Sequence, residues 1–543
     1  MLSSLNVGDI LSILLFLAVL GTLLIGYPIA ITLAGISLIF AFIGHQFGAF
    51  DYSFLHSLPS RYLGSMLNEV LVAVPLFIFM GLVLERSGIA ESLLTTMGQL
   101  FGKLRGGLAF SVILVGAMLA ASTGVVGATV VTMGLISLPA MMRAGYDKRL
   151  LSGTICASST MAQLIPPSTV LIFIGDILAG VNQAAQIKKG NFTPDPISVG
   201  DLFAGALIPG FIMVSVYLIW IVYKAVFQPE TVPALEMTDE ERSGLPLRVI
   251  SALVPPLLLI VAVLGSILLG FATPTESASV GAVGAMILAA LNRRLSFSMV
   301  YYAARNTMVT TSIIFVIVLA ASMFSLVFRG LGGEHMVEEA LKNVPGGPFG
   351  AMLAVMSVMF ILGFFLDTFE IILIMLPICG PPLIILGLDP VWLGVMIAIN
   401  LQTSFLTPPF GFTLFYLRSI APPSISTGTI WLGAIPYVLM QLFVLGIVWA
   451  FPPTATWLPK ALFDAGKPAV IAPATPSGRS GDGTPAPARK SEPNARPKFD
   501  ENGIPIEGDD PMGFSKRQDA RPKFDKDGIP IEGDDPMGFT KKR

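Results

Sequence analysis

Charge is what this sequence has least of. Only 13% of its 543 residues are Asp, Glu, Lys or Arg, about half the share in an ordinary soluble domain, and that excludes a soluble enzyme. Cysteine is equally scarce. Cys156 and Cys379 both lie in apolar runs, offer no disulfide framework and no metal-ligand spacing, and read as small buried hydrophobes. The three histidines, His45, His56 and His335, share no spacing, and neither a GxxxxGKS/T phosphate loop nor an HExxH pair occurs. An ATP-driven pump and an intramembrane metallohydrolase are excluded with them. A net charge of −2 leaves no basic face for nucleic acid.

What is present is apolar: 54% hydrophobic residues, 54 Gly and 41 Pro, with a mean hydropathy of +0.77. The few charges are crowded at one end, since residues 460–543 hold 15 of the 33 Lys and Arg and 14 of the 35 Asp and Glu. The remainder has the composition of a membrane protein followed by a polar tail. No Lys or Arg precedes Arg61, so the first apolar stretch lacks the basic start of a signal peptide and is expected to remain as a span.

The body repeats itself. Leu20–Gly26 resembles Leu264–Gly270 at an offset of 244, while Gly145-Tyr-Asp147 matches Gly387-Leu-Asp389 and Pro166-Pro167 matches Pro408-Pro409, both at an offset of 242. Residues 1–226 and 248–455 therefore read as two copies, joined by a charged linker, 227–247, and followed by a polar tail, 456–543. Each copy contains five spans and one interrupted segment. In the first copy the spans are 10–27, 29–48, 69–86, 149–180 and 202–226, with a hairpin at about 108–141. In the second they are 248–271, 275–292, 307–329, 391–417 and 428–451, with a hairpin at about 350–385. The segments 149–180 and 391–417 contain the diprolines and are expected to be broken helices. An odd number of crossings turns the second copy upside down, which is the inverted-repeat plan of secondary transporters. The expected fold is thus an all-α integral membrane protein of two inverted repeats, each with five spans and a re-entrant hairpin. Thirteen of the 18 basic residues of the body fall on one side and five on the other, placing both termini outside the cell.

The chemistry is expected at the breaks, where unwound backbone can line a polar cavity. Ser122, Thr123 and Gly124 form the tip of the first hairpin, and Asp367 and Thr368 belong to that of the second. Ser158 and Ser159 precede the first diproline, and Asn400, Gln402 and Thr403 the second, with Pro166, Pro167, Pro408 and Pro409 opening the helices. No Lys or Arg lies in these four segments. Hydroxyl and carbonyl oxygens suit sodium, and a carboxylate substrate could be neutralised by the co-transported cation in place of an arginine. Two competing readings stay open. Ser and Thr in membrane helices also bond back to their own carbonyls, and both Thr273-Pro-Thr-Glu276 and Asp367 with Glu370 have capping-box spacing.

Four stretches together carry a resemblance: Gly153–Ser168, Ser198-Val-Gly-Asp-Leu-Phe-Ala-Gly205 with Ile208-Pro-Gly210, Thr273-Pro-Thr-Glu-Ser277, and Thr407-Pro-Pro-Phe-Gly411. In this order, over about residues 8–455, the chain resembles the large membrane (permease) subunit of TRAP transporters, the tripartite ATP-independent periplasmic carriers. The resemblance implies a secondary transporter of elevator type, not an enzyme. It would be a multi-pass protein of the bacterial inner membrane, using a sodium gradient to import a small organic acid. It implies no cofactor beyond sodium as coupling ion, whose ligands would come from the residues just named. The implied partners are a separate four-span membrane subunit, a periplasmic substrate-binding protein and membrane lipid, with no nucleic acid. The alternative is a stand-alone sodium-coupled dicarboxylate carrier of a related elevator fold. Two features depart from the family pattern: a polar stretch at 181–197, and a tail in which Ala495–Phe514 recurs at Ala520–Phe539, with the low-complexity composition of disorder.

Overall fold

A computed structural model of the chain describes residues 6–123, 126–234 and 245–464. The middle of the linker, Gly124 and the repeated tail lie outside the described residues, as do the side chains of Ser122 and Thr123. The first repeat contains α1 (Val7–Ile25), α2 (Ile29–Gln46), α3 (Leu58–Met66), α4 (Glu69–Arg86), α5 (Ile89–Phe101), α6 (Gly107–Thr123), α7 (Val126–Arg143), α8 (Lys148–Thr160), α9 (Thr169–Lys188) and α10 (Val199–Phe227). The second contains α11 (Leu245–Leu268), α12 (Pro274–Leu291), α13 (Phe297–Gly330), α14 (Gly333–Lys342), α15 (Gly347–Leu362), α16 (Thr368–Ile385), α17 (Pro390–Leu406), α18 (Phe412–Ile420) and α19 (Thr427–Ala450), with a short α20 (Pro453–Pro459) after it. The described residues form no strands. Among the described residues ten helices are long and apolar enough to cross a bilayer; two of these, α7 and α16, are the outgoing arms of the hairpins.

The repeat can be checked helix against helix, because the local signals that start and stop each one recur. Asp147 accepts hydrogen bonds from the Arg149 and Leu150 N–H groups at 2.9 and 3.0 Å, and Asp389 does the same for Val391 and Trp392 at 2.9 and 3.0 Å. Each aspartate thus caps the first half of a broken helix. The glycines two residues before them, Gly145 and Gly387, have φ of 80° and 101°, which a side chain would resist. Packing repeats as well. Hairpin arm α7 lies against α18, and arm α16 against α9, so each hairpin grips the second half-helix of the opposite copy. Likewise α6 packs on α8 and α15 on α17, while α4 with α12 mirrors α13 with α2. Helices α8 and α17 touch each other, as do α10 and α19, which places the pseudo-two-fold axis between them.

Several elements differ from the sequence expectation. The span expected at 307–329 begins at Phe297, whereas its counterpart in the first copy is divided into α3 and α4, bent by 49°. Helices α5 and α14 were not expected. Each connects a span to a hairpin and buries only one face, and α14 carries Glu334, Glu338, Glu339 and Lys342, so its hydropathy is that of a surface segment. Within the polar stretch 181–197, residues 181–188 continue α9 by two turns to Lys188, and 189–197 form an irregular connection to α10. Its helical part stays packed on one face, where Val181, Asn182 and Ala185 are buried. The linker begins docked. Val232 is buried, and the Thr231 and Val232 carbonyls accept hydrogen bonds from Asp147 and Gly106 at 3.1 and 3.0 Å.

Candidate functional site

The first break is buried in the protein, whereas the second reaches its surface, with Thr407 and Pro408 half-buried and Pro409 and Phe410 exposed. Helix α8 ends at Thr160, passes through one 3-10 turn at Met161–Gln163, and resumes as α9 only after Pro166-Pro167. In the second copy α17 ends at Leu406 and α18 starts at Phe412, with Pro408-Pro409 between them. Proline has no N–H to donate and clashes with the preceding turn, so backbone oxygens upstream lose their helical partners. Thr407 satisfies one of them, donating from Oγ1 to the Thr403 carbonyl at 2.7 Å.

The hydroxyl-bearing residues have a consistent polarity. Ser158 and Ser159 both donate to the Ile155 carbonyl, at 3.1 and 2.8 Å, Thr160 donates to Ala157 at 2.9 Å, and Thr403 donates to Ile399 at 2.7 Å. This is the back-bonding that the sequence left open. It commits each proton inward and leaves the oxygen with acceptor capacity alone, the half that a cation uses. Asn400 is held differently, its Nδ2 donating to the Met356 carbonyl at 2.9 Å. Ser158 occupies the corresponding place in the first copy, close against Gly116 of α6.

Amide side chains complete the centre. Gln163 donates from Nε2 to Thr368 Oγ1 at 2.9 Å, joining the first break to the second hairpin, while its Oε1 has no hydrogen-bond partner. Gln402 is fully buried and approaches the Tyr217 hydroxyl, but outside hydrogen-bonding geometry, so neither its oxygen nor its nitrogen has a well-formed partner. Gln441 donates to Tyr217 at 2.8 Å and Thr160 at 3.2 Å, and its Oε1 is also left over, as is Thr413 Oγ1. A buried polar atom without a partner costs about 1–3 kcal/mol. Four leftover oxygens on or beside the two broken helices therefore require an explanation.

The acidic residues serve the helix starts. Thr273 and Glu276 form a capping box, with Glu276 accepting from the Thr273 N–H at 2.8 Å and Thr273 accepting from the Glu276 N–H at 3.2 Å. Asp367 and Glu370 do the same at the second hairpin, where Glu370 accepts from the Asp367 N–H at 2.7 Å. Phe364 and Phe365 at that tip pack against Phe410, with ring centroids 6.3 and 5.5 Å apart. Tyr416 of α18 lies with its ring against Gly127 of the first hairpin.

The structure thus buries Ser158 and Ser159 on α8 and Asn400, Gln402 and Thr403 on α17, two helices that touch, and links Thr368 to the first break through Gln163. Gln163, Gln441, Tyr217, Thr413 and Tyr416 were not singled out in the sequence. For Gln163 a signal existed, since it is an intramembrane amide three residues before a diproline. Nothing local marks the others, because their role depends on which helix faces them.

Hairpins that cross-grip broken helices, around a buried centre of hydroxyls and amides without Lys or Arg, are the build of a secondary transporter. Residues 16–454 match the family model for the DctM component of the tripartite ATP-independent periplasmic transporters, and the chain belongs to that family. It is 28% identical over 477 residues to the C4-dicarboxylate large permease DctM of Vibrio cholerae, covering 83% of this chain and 97% of that protein. It is also 28% identical to the ectoine large permease TeaC of Halomonas elongata (81% and 96% covered) and 25% identical to the sialic acid large permease SiaM of Vibrio cholerae (82% and 98% covered). Among solved structures, the YdaH transporter of Alcanivorax borkumensis shares the fold, with a TM-score of 0.52 at 15% identity over 74% of this chain and 88% of that one. Membership makes the protein the large, multi-pass inner-membrane subunit of a binding-protein-dependent secondary transporter, with a small membrane subunit and a periplasmic binding protein as partners.

Proposed function

We propose that this subunit imports a small organic acid and that a sodium gradient drives it. The observation carrying the proposal is the set of unpartnered oxygens at Gln163, Gln402, Gln441 and Thr413, beside hydroxyls whose protons are already committed inward. A hard cation takes oxygen ligands, and such a set offers them without a permanent negative charge to hold the ion too tightly for release. Sodium would be held among Ser122, Thr123, Gly124, Ser158, Ser159, Asn400, Gln402 and Thr403, with Asp367 and Thr368 closing the second tip. Pro166, Pro167, Pro408 and Pro409 keep the helices open. The three relatives are named for a C4-dicarboxylate, ectoine and sialic acid, all of which bear a carboxylate, and that supports an acid as cargo here. In this reading α6–α10 and α15–α19 move as an elevator against α1–α4 and α11–α13.

Uptake into proteoliposomes holding both membrane subunits, with the binding protein outside, is expected to require an inward sodium gradient and to persist after ATP is removed. Uptake that follows ATP, or that continues at full rate when sodium is replaced by potassium, would overturn the mechanism.

The 13 to 5 division of basic residues supports a periplasmic position for both termini. A reporter joined after Phe463 is therefore expected to read as periplasmic. A cytoplasmic signal would mean that one crossing has been miscounted.

A further inference from the structure

A second polar feature lies along α9, separate from the two breaks. A cavity of about 290 Å³ lies between α3, the start of α4, and α13 on one side and α9 and α16 on the other. Arg61 of α3 and Arg329 of α13 both line it, and the charge of Arg329 reaches Arg61. Arg61 is half-buried, and its side chain has no hydrogen bond or ion pair among the described residues. Arg329 pairs through Nε with Glu334 at 2.7 Å, which leaves the rest of its fork free. The one carboxylate in the wall, Asp176, accepts from Asn68 Nδ2 at 2.7 Å and is paired with neither guanidinium. Ser65 and Ser325 add hydroxyls.

The repeat sharpens the contrast. Arg329 stands where Glu85 stands in the first copy, 244 residues earlier, the same offset as Gly26 and Gly270. Glu85 has a direct partner on its hairpin arm, accepting from Thr132 of α7 at 2.9 Å. Arg329 faces open volume where the corresponding arm, α16, presents Leu373 and Pro377. Two like charges across a partly desolvated cavity repel each other. An anion placed between them converts that repulsion into charge-assisted hydrogen bonds, for which guanidinium forks are shaped.

We propose that Arg61 and Arg329 form an anion-binding site that takes a carboxylate or phosphate group between the α3/α13 face and the α9/α16 face. One source of that group is the free solute on its way to the broken helices. The other is the headgroup of an acidic lipid, because Leu63, Met66 and Leu67 beside Arg61 are exposed apolar residues that would face acyl chains. The solute source rests on the organic-acid reading above, but the site does not. The test measures binding without any sodium gradient, so a protein that fails the uptake assay can still pass it.

Amide hydrogen exchange of residues 58–67 and 318–330 would be followed in the purified full chain, in nanodiscs of phosphatidylcholine or phosphatidylglycerol, with succinate or with sodium chloride of equal ionic strength. Exchange is expected to slow about tenfold when the site is filled. Slowing by succinate in phosphatidylcholine identifies the free carboxylate, and slowing by phosphatidylglycerol alone identifies the headgroup. Either effect should vanish in Arg61→Gln and partly survive in Arg61→Lys. Should Arg61→Gln not fold, the comparison of succinate with chloride in the unaltered chain still decides. Exchange that is the same under all four conditions overturns the proposal, and so does an Arg61→Gln chain that keeps the protection.

Discussion

Gln402→Leu is expected to abolish sodium-driven uptake while leaving the protein as stable as before, or more so. The reason is the isolation of this amide. It is fully buried, and neither of its polar atoms has a hydrogen bond, so the folded protein without an ion carries its desolvation cost of about 1–3 kcal/mol. Leucine of similar size removes that cost, and the thermal midpoint in detergent should stay level or rise. It also removes the oxygen that the ion would use, and initial uptake should fall about 100-fold, in line with the loss of a group that orders a metal site. Asn400→Leu provides the contrast. Asn400 holds the Met356 carbonyl at 2.9 Å, so its loss should lower the midpoint as well as the uptake. A Gln402→Leu protein that transports normally would remove this residue from the site. One that is both unstable and inactive would make Gln402 a packing residue.

The second large effect concerns stability. At Gly153 on α8 and Gly433 on α19 the two backbones touch. A Cβ on Gly153 would collide with the Gly433 carbonyl, and a Cβ on Gly433 with the Arg149 carbonyl. Small residues at such crossings let membrane helices approach closely where no hydrophobic effect drives them together. The contact has a functional neighbour, because it sets the short hydrogen bond between Thr154 Oγ1 and the Tyr437 hydroxyl at 2.6 Å. Gly153→Val is expected to destabilise the fold by about 3 kcal/mol, at the upper end for overpacking, since the obstacle is backbone that cannot swing away. Gly446→Ala, on the same α19 with nothing within 4 Å of the added carbon, should be neutral or slightly stabilising through helix propensity. Thermal midpoints of the two variants in the same detergent would measure this. Equal midpoints would show that α8 and α19 can separate without loss.

These two residues differ in how far the sequence revealed them. Gln402 sits in a span whose diproline announces a break, and its polarity inside an apolar run is visible at once. That its amide lacks a well-formed partner is not visible, because the group nearest to it, the Tyr217 hydroxyl on α10, is far away in the chain. Gly153 is one of 54 glycines, and only the helix crossing distinguishes it. Helices α5 and α14 leave no clear mark in the sequence for a related reason. They bury one face against the spans and hairpins, and a hydropathy window averages that face away.

By itself the sequence determined that the chain spans a membrane, that it consists of two copies, and where each copy breaks its helices. Those properties are written locally: apolar length sets a crossing, Pro-Pro denies donors to the turn before it, and Asp147 and Asp389 cap the helix that follows two residues after a glycine. The tertiary structure alone decided which polar atoms meet. Gln163 and Thr368 are separated by 205 positions and hydrogen-bonded at 2.9 Å, and Arg61 and Arg329 come from different copies to face a single cavity. Such meetings depend on the rotation of each helix about its axis, which is set by the packing of all its neighbours and leaves no mark in any one segment.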